Sequence, residues 1–554
     1  MLTHLLIRWA DHRPRLHGSG DIITLYLRCK HDFHSVPKNF RALTAPEFRV
    51  KNSSASTEKN WQTFLLLSGL GLLLLRILTV VFTTLNLGPD EAQYWRWSTS
   101  FDWGYYSKPP MIAWVIGVET SLFGDAEWAI RIGSPLFHVF TGAMLYLLGK
   151  HIWSVRAGVL AALIYLLMPA VWLSSIIMST DVQLMAFWAL SLFLLFLFRD
   201  APSWKLGLAL GISIGFGFLS KYAMIYFLVG IGLSLLFDKP LRAAFLSRSG
   251  LSAIAGLVLT LLPHIAWSIR TGFKTVSHTA DNANWDQELL NPENGLKFLG
   301  DQFGVFGPLS FALLLAFFVA LVIGATQLRR DSKVRILLTF ILPPLTIILL
   351  QAFISRAHAN WAASAYPAAA VLMAVWACHA TKYVRPVLYA GFAINLIAGL
   401  IFTFTVVAPA EIANDLGLAN AMKRLRGWPE TTERVKQLAI EMNASAIILD
   451  EREVWHGLDY YGRDGALDFP LRAWRRSSHA ESFSEEAPIS QADAANAIVL
   501  LYRQDDFDKI SADFETFESA GEIRQPLGGS KFRVLSIYRA SGFQPVERAS
   551  PAVE

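Results

Sequence analysis

The chain has 554 residues, 53% of them hydrophobic, 13% aromatic and only 17% charged. A soluble domain carries about 25% charged residues, so this balance excludes an ordinary soluble enzyme and indicates a membrane protein. In such a chain the net charge of +5 reflects basic loops at a membrane surface and gives no nucleic-acid signal, and the two cysteines, Cys29 and Cys378, imply no disulfide framework.

Residues 1–60 mix charges, histidines and short apolar runs without a sustained period, and read as a cytoplasmic, poorly ordered tail. The spacing of His4, His12, His17, His31 and His34 fits no standard ligand pattern. From Trp61 onward, apolar segments of about 20 residues recur, the length needed to cross about 30 Å of hydrocarbon as helix. They fall at about 62–86, 129–149, 156–176, 182–198, 205–220, 222–237, 251–268, 307–327, 336–354, 361–378 and 386–408, with Met111–Phe123 as an extra juxtamembrane segment. This predicts eleven or more transmembrane helices, in a domain covering residues 61–408. With the tail inside, alternate loops collect Lys150, Arg156, Arg199, Lys205, Lys239, Arg242, Arg248, Arg329, Arg330, Lys333, Arg335, Lys382 and Arg385. By the positive-inside rule those loops are cytoplasmic.

The unusual polar motifs then all fall on the other side. Gly88-Pro89-Asp90-Glu91 could simply open a helix, since proline suits a first turn and acids there complement the dipole. A carboxylate beyond a membrane boundary can also accept a proton from a substrate nucleophile, and Asp90 is the candidate, with Glu91 assigned to chemistry, cation binding or structure. Tyr94, Trp95, Tyr105 and Tyr106 fit an interfacial aromatic belt or stacking against sugar rings. Lys108 stands before Pro109, which biases it to an extended conformation, and is read as a snorkelling lysine or a point charge on a lipid phosphate. Asp181 caps a helix or is a second carboxylate of the site. Lys221, between two apolar runs, faces the site or snorkels. In Arg356–Trp361 the alternate spacing of Arg356, His358 and Asn360 predicts an extended turn leading into a helix. Arg356 suits a phosphate, and His358, Asn360 and Trp361 suit donor or acceptor. The polar stretch after Arg270, which contains His278, Asp281, Asn284 and Trp285, has the length of a lid or binding loop.

The run DEAQYWRWS with GYYSKPP, the STD helix start, the SKYA junction and RAHANWAASAYPA resemble the polytopic glycosyltransferases related to protein O-mannosyltransferases and to the lipid A aminoarabinose transferase, and most of all the rhizobial-type lipid A and core galacturonosyltransferases. The resemblance spans about residues 60–545. It implies the GT-C fold, a polyprenyl-phosphate sugar donor, and inverting transfer to a glycolipid, glycan or protein acceptor such as lipid A or lipopolysaccharide core, on the periplasmic side of a bacterial inner membrane. By the same resemblance Asp90 matches the acid of the first loop and Lys108 the phosphate-contacting lysine. The aminoarabinose enzymes carry an acid before that lysine, where this chain has Ser107, so the donor sugar need not be aminoarabinose. Lys108, Arg356 and Lys221 are the expected phosphate cations. Asp90, Glu91 and Asp181 are the expected catalytic acids, and a divalent cation bound to them as cofactor is left open. A transporter or flippase of a polyprenyl-phosphate-linked or anionic substrate is the alternative.

After about Pro409 the composition changes to a helical stretch and three strand-like runs, ASAIILDE, ANAIVLLYR and FRVLSIYR, which predict a small extracytoplasmic α/β domain over residues 409–554. Asp450, Glu451 and His456 within it read as a solvated turn beside a strand more readily than as catalytic groups.

Overall fold

The computed structural model describes residues 55–281, 290–380 and 382–548. The N-terminal tail up to residue 54 lies outside them, and the described residues form one compact unit. The first helix, α1 (Ala55–Phe82), begins ahead of the expected start of the first span. The apolar body continues through α2 (Pro89–Ser98), α3 (Met111–Phe123), a short turn of helix at Glu127–Arg131, α4 (Gly133–Ile152), α5 (Val155–Leu166), α6 (Thr180–Asp200), α7 (Trp204–Ser220), α8 (Ile225–Phe237) and α9 (Arg248–Arg270). It closes with α10 (Pro292–Phe306), α11 (Pro308–Val322), α12 (Ser332–Ile354), α13 (Tyr366–His379) and α14 (Val384–Val407). Each predicted span overlaps helix, but the one at 156–176 is broken after Leu166 and the one at 307–327 is helical only to Val322. Among the described residues seven helices are long and apolar enough to cross a membrane, and two bent pairs would raise this to nine.

Polar residues start these helices where the sequence changes character. Ser154, Ser203, Asp238, Ser247 and Asp331 each accept a backbone N–H of the following turn, satisfying donors that a helix leaves open at its N-terminus. The polar stretch after Arg270 is not a bare loop. It contains Lys274–Asp281 and α10, and α10 turns by 117° into α11. Gly307 makes that corner: its φ is +100°, and a Cβ there would lie 2.4 Å from the Asn395 amide, so both backbone and space require glycine.

The core sits around α13, which is buried along almost its whole length. Its alanine-rich surface lets neighbouring helices approach closely. Tyr366 at its start stacks on Phe306 at 4.6 Å and donates to Gln302 Oε1 at 2.5 Å. Arg76 is the one strongly polar group of α1 inside this body. It donates to the carbonyl of Leu166, where Pro169 interrupts the following helix, and lies over Trp172. The basic groups gather at one end of the body: Arg199 pairs with Asp238 at 2.9 Å, and Lys333 donates to the Ile152 carbonyl. The first turn of α6, with Asp181, is therefore at the opposite end from its last, with Arg199.

The C-terminal part contains α15 (Trp428–Glu441), β1 (Ile447–Leu449), α16 (Arg452–Tyr461), β2 (Leu471–Ala473), β3 (Ala497–Leu501), β4 (Phe514–Gly528) and β5 (Lys531–Phe543). The sheet order is β2-β1-β3-β5-β4, with β1 parallel to both neighbours and β3, β5 and β4 antiparallel. The three expected strands are β1, β3 and β5. Asp450 is not in a solvated turn. It is buried, accepts the backbone N–H groups of Tyr502 and Arg503 at 2.8 and 2.7 Å, and burial pushes its carboxyl up to about 6.

Candidate active site

The helix α2 opens at Gly88 with proline in its first turn, and Glu91 folds back to accept the Gly88 N–H at 2.9 Å. The same carboxylate accepts Arg131 Nε at 2.8 Å, Arg131 Nη2 at 2.7 Å and the Met178 N–H at 2.9 Å. Both side chains of the Glu91–Arg131 pair are 1% exposed. The catalytic or cation-binding expectation for Glu91 is corrected here: its oxygens are saturated by protein donors, and it locks α2 to the short helix Glu127–Arg131 and to the segment before α6. Asp90 beside it points the other way. Its side chain is 58% exposed, and its Oδ1 accepts both terminal nitrogens of Arg452 at 3.2 Å.

Lys108 is positioned by the turn that follows α2. Asp102 accepts Trp267 Nε1 at 2.8 Å, His264 Nδ1–H donates to the Trp103 carbonyl at 2.6 Å, and Thr275 donates to the Tyr105 carbonyl at 2.6 Å. Gly104 lies against the Trp267 ring, where a Cβ would come within 2.4 Å of a ring carbon. The Tyr105 N–H then donates to the Lys108 carbonyl at 3.1 Å, before Pro109 and Pro110 lead into α3. Burial pushes the Lys108 ammonium below the ordinary lysine range, with Asp90 pulling the other way and Lys221 adding to the fall. Lys108 thus shares one electrostatic neighbourhood with Asp90, Asp181, Lys221 and Arg452.

Three sequence-predicted residues meet directly. Lys221, extended at the break between α7 and the next helical turn, donates to Asp181 Oδ1 at 2.7 Å, and Asn360 Nδ2 donates to Asp181 Oδ2 at 2.9 Å. Asp181 is therefore a member of the cluster and not a cap. The exposed turn carrying Arg356 and His358 runs into helical turns from Ala359. His358 meets Trp361 edge-on at 5.3 Å. Partial burial and then Arg356, Lys221 and Lys297 hold the His358 imidazole below its ordinary value, leaving it neutral at pH 7. Lys297, on α10, was not anticipated, because a lone lysine in a polar stretch carries no pattern.

Arg452 was not anticipated either. It begins α16, which packs on α2: Arg96 pairs with Asp459, the Leu87 N–H donates to Tyr461 at 2.7 Å, and Tyr460 donates to the Asp125 carbonyl at 2.6 Å. This docking also corrects the aromatic assignment. Trp95 is 5% exposed, donates to Asp125 at 2.7 Å and meets Tyr460 edge-on. Tyr105 stacks on Trp97 and donates to the Ser100 carbonyl, and Tyr106 donates to the Ala480 carbonyl. Trp95 and Tyr105 are buried, and Tyr106 is partly buried against the C-terminal part. Tyr94 is the one beside the charges. Burial, then Asp90, push its phenol well above the ordinary range, so it stays protonated. The side chains of His278 and Asp281 lie outside what the structure describes, as do residues Asn284 and Trp285.

The acids expected for a divalent cation each have protein partners. Glu91 is saturated, while Asp90 and Asp181 are each paired with a separate protein cation. Among the described residues no group of three His, Cys, Asp or Glu side chains is arranged to hold a metal ion.

Residues 107–267, which carry Lys108, Asp181 and Lys221, match the family described as dolichyl-phosphate-mannose-protein mannosyltransferase. The lipid A galacturonosyltransferase RgtD of Rhizobium johnstonii is 33% identical over 477 residues, 86% of this chain and 98% of that one. The chain belongs to this family of GT-C membrane glycosyltransferases. An undecaprenyl phosphate-α-4-amino-4-deoxy-L-arabinose arabinosyl transferase of Pseudomonas fluorescens is 29% identical over 236 residues, 39% of this chain and 40% of that one. The GT-C fold is shared with the crystal structure of ArnT from Cupriavidus metallidurans, at a TM-score of 0.59 and 15% identity, over 87% of this chain and 98% of that one. That protein has also been solved bound to undecaprenyl phosphate. This GT-C chain is accordingly a multi-pass membrane glycosyltransferase.

Proposed function

We propose that this chain transfers a sugar from a polyprenyl-phosphate donor to an envelope glycolipid, with galacturonate and lipid A the pair to test first, at the periplasmic face of a bacterial inner membrane. The observation that carries the reading is a set of two ion pairs, Arg452 with Asp90 at 3.2 Å and Lys221 with Asp181 at 2.7 Å, whose charges all act on the Lys108 ammonium, at the end of the body away from the basic loops. Intramembrane and boundary charges are costly unless paired or functional, and this cluster holds cations in excess of its acids.

In this reading Lys108 and Arg356 are the cations that hold the lipid phosphate, and Lys221 is fixed by Asp181 at 2.7 Å. Asp90 takes the proton of the acceptor hydroxyl as its oxygen attacks the anomeric carbon from the side opposite the phosphate. The bond from that carbon to the phosphate oxygen breaks, the configuration inverts, and the polyprenyl phosphate leaves with the bonding electron pair. No step is assigned to a divalent cation, and transfer measured with and without a chelator checks that. The experiment for the whole reading is transfer of labelled galacturonate from its undecaprenyl-phosphate donor to lipid A by the full chain in proteoliposomes. Movement of the donor across the bilayer with no transfer would replace it with the flippase reading.

The lowered Lys108 value gives a second outcome. The ammonium is charged below its pKa and lost above it, so a depressed value brings the loss to a lower pH than for a free lysine. The donor KM is expected to rise on the alkaline side, and Lys108→Arg, which stays charged, is expected to flatten that rise. An alkaline limb unchanged in Lys108→Arg would remove Lys108 from donor binding.

A further inference from the structure

Asp90 is held from outside the apolar body, by a residue more than 300 positions away in sequence. We propose that Arg452 is a positioning residue for sugar transfer, through which the C-terminal α/β part fixes the Asp90 carboxylate and completes the active site. This rests on Asp90 being the proton acceptor in the reading above.

The geometry is specific. Both terminal nitrogens of Arg452 fall on the same oxygen, Oδ1, at 3.2 Å. Oδ2 is left for the acceptor hydroxyl. Arg452 Nη1 also donates to Gln93 Oε1 at 3.0 Å. Gln93 is 3% exposed and lies one helical turn after Asp90 on α2, so the guanidinium is tied to the same turn whose carboxylate it orients. The far end of α16 is anchored independently by Asp459 on Arg96, Tyr461 on the Leu87 N–H and Tyr460 on the Asp125 carbonyl. The helix that carries Arg452 is therefore held against α2 independently of the Arg452 contacts.

An exposed ion pair adds little to stability, and Asp90 at 58% exposure is such a case. What the pair supplies is orientation. A half-exposed carboxylate on the first turn of a helix would otherwise sample several rotamers, and misplacement of a reacting group by about 1 Å can cost about 100-fold in rate. Lysine has a single donor head on a flexible stem and reproduces the charge but not the fork that spans Asp90 and Gln93.

The test uses the full chain in proteoliposomes with undecaprenyl-phosphate galacturonate and lipid A. Arg452→Gln is expected to lower kcat by about 10- to 100-fold, with donor KM changed by less than about twofold and the melting temperature unchanged. Arg452→Lys is expected to recover part of the loss. Against the residual rate of Asp90→Asn, adding Arg452→Gln should cost nothing more, because residues that act through one another are not additive. The proposal is overturned by wild-type kcat in Arg452→Gln, by a loss confined to donor KM, or by an undiminished further loss in the Asp90→Asn background. Full activity of Asp90→Asn alone would remove the parent reading, a result separable from all three.

Discussion

Asp90→Asn is expected to reduce sugar transfer by about 10²- to 10⁴-fold, the range general-base catalysis supplies, while leaving folding untouched. The asparagine keeps the size of the side chain and an oxygen that can accept from Arg452, so the contacts of the exposed side chain persist. What it loses is the ability to take a proton. The fall should therefore appear in kcat, with the donor KM close to that of the unaltered protein, because the phosphate cations are elsewhere. Asp90→Glu keeps the charge but moves it outward by one methylene, and an intermediate rate is expected. The measurements are initial rates in proteoliposomes with a melting curve for each variant. A rate within a few-fold of wild type for Asp90→Asn would leave the cluster without its acceptor-side base and sink the assignment.

The parts of this site that were legible in the sequence share a cause. Helical spans are legible because length and hydropathy are local properties. Asp90, Lys108, Asp181 and Lys221 stood out because a charge at a membrane boundary is anomalous where it stands. Partnerships are not local. Nothing near Arg131 or Met178 announces Glu91, and nothing in the segment from Asp450 to Tyr461 announces that its helix docks on α2. The aromatics of the first loop show the same limit, since a tryptophan at a membrane interface and one sealed in a joint have the same sequence signature. Trp95 is of the second kind because Asp125 and Tyr460 complete its environment. In the sheet, β4 escaped for a different reason. It is an edge strand whose long exposed run of Glu, Ser, Gly and Arg carries almost no apolar alternation, as suits an edge that must not recruit another strand.

The largest effect on stability is expected at the Glu91–Arg131 pair. Arg131→Leu removes the guanidinium that neutralises a carboxylate 1% exposed and that also donates to the Leu85 and Asn86 carbonyls at 2.9 and 2.8 Å. Leaving one partner of a buried pair uncompensated costs about 3–5 kcal/mol, so the variant should melt well below the unaltered protein in detergent and be recovered in poor yield. Glu91→Gln likewise leaves a buried charge, that of Arg131, without its partner, although the amide keeps the size and one acceptor and Arg131 keeps the Leu85 and Asn86 carbonyls. Both variants should melt below wild type, with transfer rates per folded molecule for Glu91→Gln within about tenfold of wild type if its part is to hold α2 in place. This separates structure from chemistry at two adjacent acids. A Glu91→Gln protein that melts normally yet transfers no sugar would return Glu91 to the catalytic set, whereas the saturated geometry requires the opposite: a carboxylate with four donors already on it has no lone pair positioned for a substrate, and the neighbour that points away from them, Asp90, is the one left to do the chemistry.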